Sequence, residues 1–152
     1  MDWTICFPRQ RIRSLRPSAK VFAGDCDIVH PIYLCFPEYQ IFSSAIVGGI
    51  LPIATGVAMS IKRNVGSNKV HCFLGDMTAE TGIAHECIKY SQNHDLPIRF
   101  IVEDNGESVC TETCHVWGME SSSFSQMSNP KVEYYRYKNI YPHAGAGTRV
   151  QF

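Results

Sequence analysis

Residues 69–76 read KVHCFLGD and residues 97–106 read PIRFIVEDNG, and these two stretches decide the fold. Each contains a short run of apolar and β-branched residues, which predicts a buried strand over Lys69–Leu74 and a second over Ile98–Glu103. Between them, apolar residues recur at roughly helical spacing and predict a helix from Thr78 to His94. Because strands that alternate with helices form βαβ units, the two strands are expected to pair in parallel.

The flanking sequence extends this pattern in both directions. Upstream, ILPIATGVAMSIKR predicts a buried helix over Ile50–Arg63, with Pro52 in the first turn, where its missing N–H costs little. Downstream, apolar and polar residues alternate over Lys131–Tyr137, which predicts a further strand. The predicted fold class is therefore α/β, with a doubly wound, mostly parallel sheet and helices on both faces.

The first forty residues are harder to interpret. Arginines cluster near two prolines close to the start, a pattern typical of a solvated arm, and Tyr33–Phe36 has the composition of a short strand. We therefore divide the chain into an N-terminal arm or partial leading segment, residues 1–40, and an α/β domain, residues 41–152.

Composition argues against several classes of partner. Fourteen basic residues balance fourteen acidic ones, so no net charge attracts nucleic acid, and the longest apolar stretch, Ala45–Met59, is too short to cross a bilayer. We expect neither a nucleic acid nor a membrane as partner. Seven cysteines, an odd number without framework spacing, favour reduced thiols and a cytoplasmic location. The one close pair, Cys110 and Cys114, has no second pair to complete a zinc site.

Polar residues stand where both predicted strands end. Gly75 and Asp76 follow the first strand, and Asn105 follows the second, 29 positions after Asp76. Because ligands bind at the carboxyl ends of parallel strands, these oxygens are expected to meet there and to suit Mg²⁺ or Ca²⁺. A helix that starts near Thr78 would also direct its N–H groups at a phosphate. The plainer alternatives are that Asp76 caps this helix and that Asp104-Asn105-Gly106 is an ordinary turn.

Three motifs, in this order, resemble the diphosphate-binding half of thiamine-diphosphate enzymes. They are IFSSAIVGGILPIATGVAMSIK at 41–62, GDMTAETGIAHE at 75–86 and LPIRFIVEDNGESVCTET at 96–113. The first is similar to the matching segment in the alpha subunit of 2-oxoacid dehydrogenases. The resemblance covers about residues 41–117 and implies the thiamine-diphosphate-binding fold, with thiamine diphosphate and Mg²⁺ as cofactors.

The resemblance also implies roles for individual residues. Asp76 and Asn105 would bind Mg²⁺ through side-chain oxygens, and Glu107 would bind it through its backbone carbonyl. His143, in YPHAG near the end of the chain, is similar to a catalytic-loop histidine of the dehydrogenases. The implied cofactor-binding set is Ala45, Ile46 and Val47 at the aminopyrimidine ring, and Gly75, Asp76, Met77, Thr78 and Asn105 at the diphosphate.

Three positions depart from the family pattern. Met77 stands where the signature has its second Gly, Ala45 replaces a Gly, and Ser44 stands where the dehydrogenases often have His. These changes leave the substrate and the branch of the family open. Ala45-Ile46-Val47 favours the dehydrogenase type, whereas Asp104-Asn105 is closer to the transketolase type.

The resemblance implies a partner. In this family the active site lies between two types of domain, and a Glu on a pyrimidine-binding domain activates the cofactor. A chain of 152 residues has no room for that domain, so we expect a pyrimidine-binding domain or subunit as partner, in a homo- or hetero-oligomer.

The predicted function is therefore that of an enzyme component. It would be the diphosphate- and Mg²⁺-binding part of a thiamine-diphosphate-dependent enzyme that acts on a 2-oxoacid in a dehydrogenase- or decarboxylase-like reaction. Transketolase-like ketol transfer and a non-catalytic regulatory or binding subunit are the alternatives. A Rossmann-like nucleotide binder is disfavoured because no GxGxxG follows a first strand.

Overall fold

The computed structural model describes residues 3–6, 34–36, 40–44, 46–138 and 140, with side chains from residue 40 onward. Within these residues, six strands form one sheet in the order β2-β3-β1-β4-β5-β8, and two short strands form a separate hairpin, β6-β7. The strands are β1 (Trp3–Cys6), β2 (Leu34–Phe36), β3 (Ile41–Ser43), β4 (Val70–Gly75), β5 (Ile98–Asp104), β6 (Glu107–Ser108), β7 (Thr111–Glu112) and β8 (Val132–Arg136).

The large sheet is mostly parallel. β3, β1, β4, β5 and β8 run in the same direction, and β2 joins the edge antiparallel to β3. The chain places β3 on one side of β1 and then places β4, β5 and β8 on the other, so the strand order reverses at β1. This reversal defines a doubly wound sheet. With helices flanking the sheet, it confirms the predicted α/β class.

Four α-helices and one 3-10 helix accompany the sheet in the described part of the chain. They are α1 (Ile50–Arg63), α2 (Asp76–Ala79), α3 (Gly82–Asn93), α4 (Thr113–Trp117) and the 3-10 helix Ser123–Gln126. The bounds of α1 agree with the prediction. Lys62, in its last turn, donates a hydrogen bond to the carbonyl oxygen of His94 over 2.6 Å and so ties the end of α1 to the end of α3.

The single helix predicted from Thr78 to His94 is wrong in one respect, because the structure breaks it into α2 and α3. Thr81, between them, has an extended backbone with ψ of 150° and precedes Gly82 as the N-cap residue of α3. Its hydroxyl donates to the carbonyl oxygen of Thr78 over 2.7 Å, which stabilises the break. A local side-chain hydrogen bond of this kind competes with helix continuation.

One face of the sheet packs against α1 and α3 to form the core. On β4, Val70, Cys72 and Leu74 are fully buried, and the residues between them are only partly buried, as period-2 alternation requires. Phe100 and Val102 continue this buried layer on β5. These strands therefore hold their carboxyl ends at fixed positions, and those ends form the edge that concerns function.

The leading segment contributes two strands to this sheet. β1 lies between β3 and β4, and β2 corresponds to the strand predicted over Tyr33–Phe36, of which Leu34–Phe36 is described. The division between residues 40 and 41 stays a prediction. Among the described residues, every helix is too short or too polar to cross a bilayer.

Candidate functional site

The carboxyl ends of β4 and β5 lie side by side. Gly75, the last residue of β4, is the register partner of Glu103 on β5. Asp76 follows Gly75, and Asp104 and Asn105 follow Glu103, so the residues singled out from the sequence stand at one edge of the sheet. This edge also adjoins the point where the strand order reverses, which is where doubly wound sheets bind ligands.

Asp76 is buried, with 2% of its surface exposed. It is the first residue of α2, and Gly75 rather than Asp76 occupies the N-cap position, so the alternative of a capping aspartate is not what the structure shows. Its Oδ2 atom is buried and has no hydrogen-bond partner among the described residues. A buried carboxylate oxygen without a donor is costly, since the charge has lost water and gained no protein donor at that oxygen.

The surroundings of Asp76 make its ionised form less favourable than it is in water. Burial raises the pKa of its carboxyl group above the ordinary value of 3.8, and the nearby charge of Asp104 raises it further. The Thr113 hydroxyl and the N–H groups of Asp76 and Met77 oppose this shift without cancelling it. A cation at this carboxylate would reverse the balance, because an opposite charge favours the ionised form.

The turn after β5 is built by its own side chains. Asp104 Oδ1 accepts a hydrogen bond from the N–H of Gly106 over 2.7 Å, and Asn105 Oδ1 accepts one from the N–H of Glu107 over 3.2 Å. Gly106 has a φ of +81°, which a glycine adopts without strain. The turn alternative for Asp104-Asn105-Gly106 is therefore observed. It does not exclude a ligand role for Asn105, because an amide oxygen has two lone pairs.

Hairpin β6-β7 brings Glu107 back to the same edge. Glu107 pairs with Glu112 across the hairpin, and β6 lies against α2, which begins with Asp76. The hairpin closes where the N–H of Thr113 donates to the carbonyl oxygen of Gly106 over 3.0 Å. The structure thus brings Asp76, Asn105 and Glu107 together in one region.

The turn before α1 lies near the start of α3. Ile46 and Val47 each expose 58% of their surface, which is unusual for aliphatic side chains and leaves them open to a ligand or partner. Gly48 stands so close to Ile83 that a Cβ atom on it would lie 2.7 Å from Cγ2 of Ile83. Ala45 and His143 lie outside the described residues, so their predicted roles stay predictions.

Met77 and Thr78 occupy the next two positions of α2. Thr78 is buried, with 5% exposed, and Met77 is partly buried. Since Thr81 bonds the carbonyl oxygen of Thr78 and lies beside Gly48, these contacts join α2 to the turn that contains Ile46 and Val47. The two halves of the predicted cofactor-binding set are therefore neighbours in the fold.

Sequence reasoning missed Glu80. Its side chain is 9% exposed and accepts three hydrogen bonds, from Ser122 Oγ over 2.7 Å, Ser123 N over 2.9 Å and Ser123 Oγ over 2.7 Å. These bonds attach the polar loop before the 3-10 helix to the end of α2. No spacing pattern connects positions more than forty residues apart, so the sequence held no signal for this contact.

Tyr134 was missed as well. Its hydroxyl donates to Asp104 Oδ2, so β8 supports the turn after β5 from the side. Burial, the hydrogen bond to Asp104 and the charge of Asp104 raise the pKa of Tyr134 to about 12. The phenol therefore stays protonated at neutral pH and keeps its role as a donor.

The oxygen donors at this edge fit a hard divalent cation. Asp76 has an unpartnered carboxylate oxygen and Asn105 an amide oxygen, and both are ligand types that Mg²⁺ accepts. Residues 40–44, 46–138 and 140 contain no group of three or more His, Cys, Asp or Glu side chains placed to hold a metal ion. A site here would consequently need carbonyl, amide or ligand oxygens in addition to Asp76.

The fold and this edge define a class of protein: a doubly wound α/β domain with oxygen donors gathered at the strand ends. The comparison with known families then gives the assignment. The chain belongs to the Dehydrogenase E1 component family, whose profile matches residues 19–127. This confirms the resemblance to the alpha subunits of 2-oxoacid dehydrogenases, and the match starts within the leading segment.

Individual relatives agree with this assignment. The alpha subunit of the pyruvate dehydrogenase E1 component of Rickettsia prowazekii is 38% identical over 66 residues, which cover 43% of this chain and 20% of that protein. The chloroplastic subunit alpha-3 of Arabidopsis thaliana is 31% identical over 94 residues, covering 58% and 20%. The alpha subunit of an acetoin:2,6-dichlorophenolindophenol oxidoreductase of Bacillus subtilis is 33% identical over 69 residues, covering 45% and 21%.

The chain spans about a fifth of the length of these curated relatives. Among solved structures, a putative thiamin diphosphate-dependent enzyme from Mycobacterium smegmatis is similar at 27% identity, with a TM-score of 0.40, covering 45% of this chain and 13% of that one. Since relatives include chloroplastic and mitochondrial proteins, the cytoplasmic location stays a prediction.

Proposed function

We propose that this chain is the diphosphate- and Mg²⁺-binding component of a thiamine-diphosphate-dependent enzyme that acts on a 2-oxoacid. Family membership supports the class of enzyme, and the names of the relatives, which include pyruvate and 2-oxoisovalerate dehydrogenase subunits, support the class of substrate. The observation that carries the proposal is the buried, unpartnered Oδ2 of Asp76 at the carboxyl edge of the sheet.

The residues of this chain would act by holding and orienting the cofactor. Asp76 and Asn105 would bind Mg²⁺ through their side chains and Glu107 through its carbonyl oxygen. The N–H groups of Met77 and Thr78 would face the diphosphate. When bound, thiamine diphosphate supplies an electron sink for the carbanion left at the carbonyl carbon of a 2-oxoacid.

The remaining parts of the active site would come from a partner. We propose a pyrimidine-binding domain or subunit that brings the activating Glu and covers the exposed Ile46 and Val47, since apolar side chains at a ligand edge are favourable sites for burial. His143 is proposed to contact the substrate or cofactor. The family assignment supports the dehydrogenase type over ketol transfer.

The first test is thermal unfolding with Mg²⁺ alone, thiamine diphosphate alone, and both. A ligand that binds only the folded chain increases the free energy of unfolding by mass action, by about 2.7 kcal/mol at a hundredfold excess over its Kd. The thermal midpoint rises as a result. We expect a rise that needs both additives, because the cation links the diphosphate to the carboxylate. Asp76→Asn should abolish the rise, and Asp95→Asn, an exposed aspartate away from this edge, should retain it.

The thermal unfolding measurement is then repeated on the complex that co-purifies with a tagged form of the chain from its source cells. Reduction of a dye such as dichlorophenolindophenol by that complex in the presence of a 2-oxoacid would test turnover. Cofactor binding without turnover would favour the non-catalytic alternative. An absence of any joint effect in both the chain and the complex would show that the cofactor assignment is wrong.

A further inference from the structure

The helix α2 is too short to hold its own position. It has four residues, Asp76–Ala79, whereas an isolated helix of fewer than about 12–15 residues is only marginally stable in water. Yet α2 begins with Asp76, and the N–H groups of Met77 and Thr78 follow. The position of these groups therefore depends on the contacts that the rest of the fold makes with α2.

Glu80 closes the turn of α2 with its main chain. It directly follows the helix, at the C-cap position, and its N–H donates to the carbonyl oxygen of Asp76 over 3.2 Å. One backbone hydrogen bond and one helical turn are thus all that separate Glu80 from Asp76. A displacement of Glu80 would consequently displace Asp76 as well.

The side chain of Glu80 is attached to a different part of the chain. Its Oε1 atom accepts from the Ser122 hydroxyl over 2.7 Å and from the Ser123 N–H over 2.9 Å, and its Oε2 atom accepts from the Ser123 hydroxyl over 2.7 Å. Because both carboxylate oxygens are used, the group cannot rotate without breaking a hydrogen bond. The end of α2 is therefore fixed in orientation as well as in place.

Residues 122–124, which we call the anchor segment, are themselves fixed in the core. Phe124 is 1% exposed and belongs to the hydrophobic core, and its ring centroid lies 5.2 Å from that of His85 on α3. The Phe124 N–H donates to the hydroxyl oxygen of Ser122 over 3.2 Å, so this hydroxyl both donates and accepts. The donors that hold Glu80 consequently have little freedom to move.

We propose that Glu80 is a positioning residue for the cation site: its carboxylate ties α2 to the anchor segment, and its N–H passes that fixed position on to Asp76. This inference rests on the proposed function, because it takes Asp76 as a cation ligand. Outer partners that hold metal ligands in place typically change metal affinity about 10–100-fold when they are removed. A purely structural Glu80 would instead lower the stability of the fold and leave the cation affinity of the folded chain unchanged.

The test is a titration of the full chain, and of its recovered complex, with Mn²⁺ in the presence of thiamine diphosphate, followed by electron paramagnetic resonance. Glu80→Gln replaces one acceptor oxygen by a donor, and Ser123→Ala removes one hydroxyl, so each should weaken Mn²⁺ binding about 10-fold. Ser123→Thr keeps the hydroxyl at an exposed position with room for a methyl group, and it should bind within about threefold of the unmodified chain.

Two control variants separate positioning from charge and from stability. Glu86→Gln makes the same change of charge at an exposed glutamate of α3 and should leave the isotherm unchanged. Ile88→Val removes a methylene group from a core side chain that is 4% exposed, away from the anchor segment. It should lower the thermal midpoint and yet leave Mn²⁺ binding by the folded chain unchanged.

The double variant Glu80→Gln, Ser123→Ala tests whether the two residues act through their shared contact. It should bind Mn²⁺ at most about twofold more weakly than the weaker single variant, whereas independent effects would multiply. The inference is overturned if the effects multiply, if Glu80→Gln and Ser123→Ala bind as tightly as the unmodified chain, if Ser123→Thr is as weak as Ser123→Ala, or if Ile88→Val is equally weak. If the unmodified chain and complex bind no Mn²⁺, the proposed function fails and this inference fails with it.

Discussion

Gly48 occupies a position where any side chain would be strained. Its φ is +77°, and a Cβ atom would meet Ile83 Cγ2 at 2.7 Å. The close approach of this turn to α3 therefore depends on the absence of a side chain. The turn that exposes Ile46 and Val47 is therefore held close to the start of α3.

Gly48→Ala should destabilise the chain by about 1–2 kcal/mol or more, because a left-handed backbone is costly for alanine and the methyl group displaces Ile83. Chemical denaturation measures the change. Gly56→Ala is the matched control: Gly56 lies inside α1, nothing lies within 4 Å of an added Cβ, and alanine should stabilise the helix by about 0.5–1 kcal/mol. Equal effects of the two substitutions would contradict the argument.

At the scale of the element, the connection from α3 to β5 is held by Lys131, which directly precedes β8. Lys131 Nζ lies 2.7 Å from Asp95 Oδ1 and donates to the carbonyl oxygen of Leu96 over 2.8 Å. Asp95 has a φ of +42°, a conformation that aspartate and asparagine tolerate better than most residues. The turn therefore combines a permissive residue with a charge pair.

Asp95→Asn should lower the thermal midpoint slightly at pH 7, and the difference should vanish in acid. The hydrogen bond and charge of Lys131 hold the pKa of Asp95 below its ordinary value of 3.8. A carboxyl group with a lowered pKa stabilises the fold above that ordinary value, and the stabilisation is lost as the pH falls through the lowered pKa. Because asparagine keeps the backbone preference, the comparison reports charge alone. Midpoints that differ equally at pH 7 and at a pH acid enough to protonate Asp95 would refute this prediction.

Elements with a distinct local composition or pattern were predictable from sequence. The bounds of α1 agree residue for residue, and the ends of β4, β5 and β8 each lie within one residue of the prediction. These elements carry a local signal: an apolar composition in α1, continuous apolar runs in β4 and β5, and alternation in β8. β1 and β3 are only four and three residues long, which is too short for a periodic pattern to emerge.

The candidate site was predictable only in part, because several of its contacts join positions that are distant in the sequence. Asp76 and Asn105 follow strands whose parallel pairing could be inferred, so their shared edge followed from the fold. Thr113, Tyr134 and Glu80 reach the same region through contacts between distant positions, and nothing in local spacing marks them. Side-chain contacts of this kind depend on tertiary geometry, which short-range patterns do not encode.

For the whole molecule, β1 is the strand that connects the two halves of the large sheet. Ile5 is the register partner of Phe42 on β3 and of Cys72 on β4. Removing the pairing capacity of β1 would separate β2 and β3 from β4, β5 and β8. A residue near the start of the chain therefore controls the middle of the sheet.

Ile5→Pro should destabilise the fold strongly, since proline has no N–H to donate to the neighbouring strand. The carbonyl oxygen left without a donor costs about 1–3 kcal/mol. Ile5→Ala keeps the N–H and should cost less. Hydrogen exchange gives the readout: the proline variant should lose protection in β3 and in the facing edge of β4 together. Full protection in β3 after Ile5→Pro would show that the described pairing is wrong.

The position of β1 has a consequence for synthesis. The strand leaves the ribosome before both of its neighbours, β3 beginning at residue 41 and β4 at residue 70. At about 5–20 residues per second, the interval between residue 6 and residue 70 lasts about 3–13 seconds. For that time the edge of β1 that will pair with β4 has its backbone donors and acceptors open, and an open strand edge is a template for other chains. The centre of the sheet is therefore completed only when β4 emerges, long after β1 itself has been made.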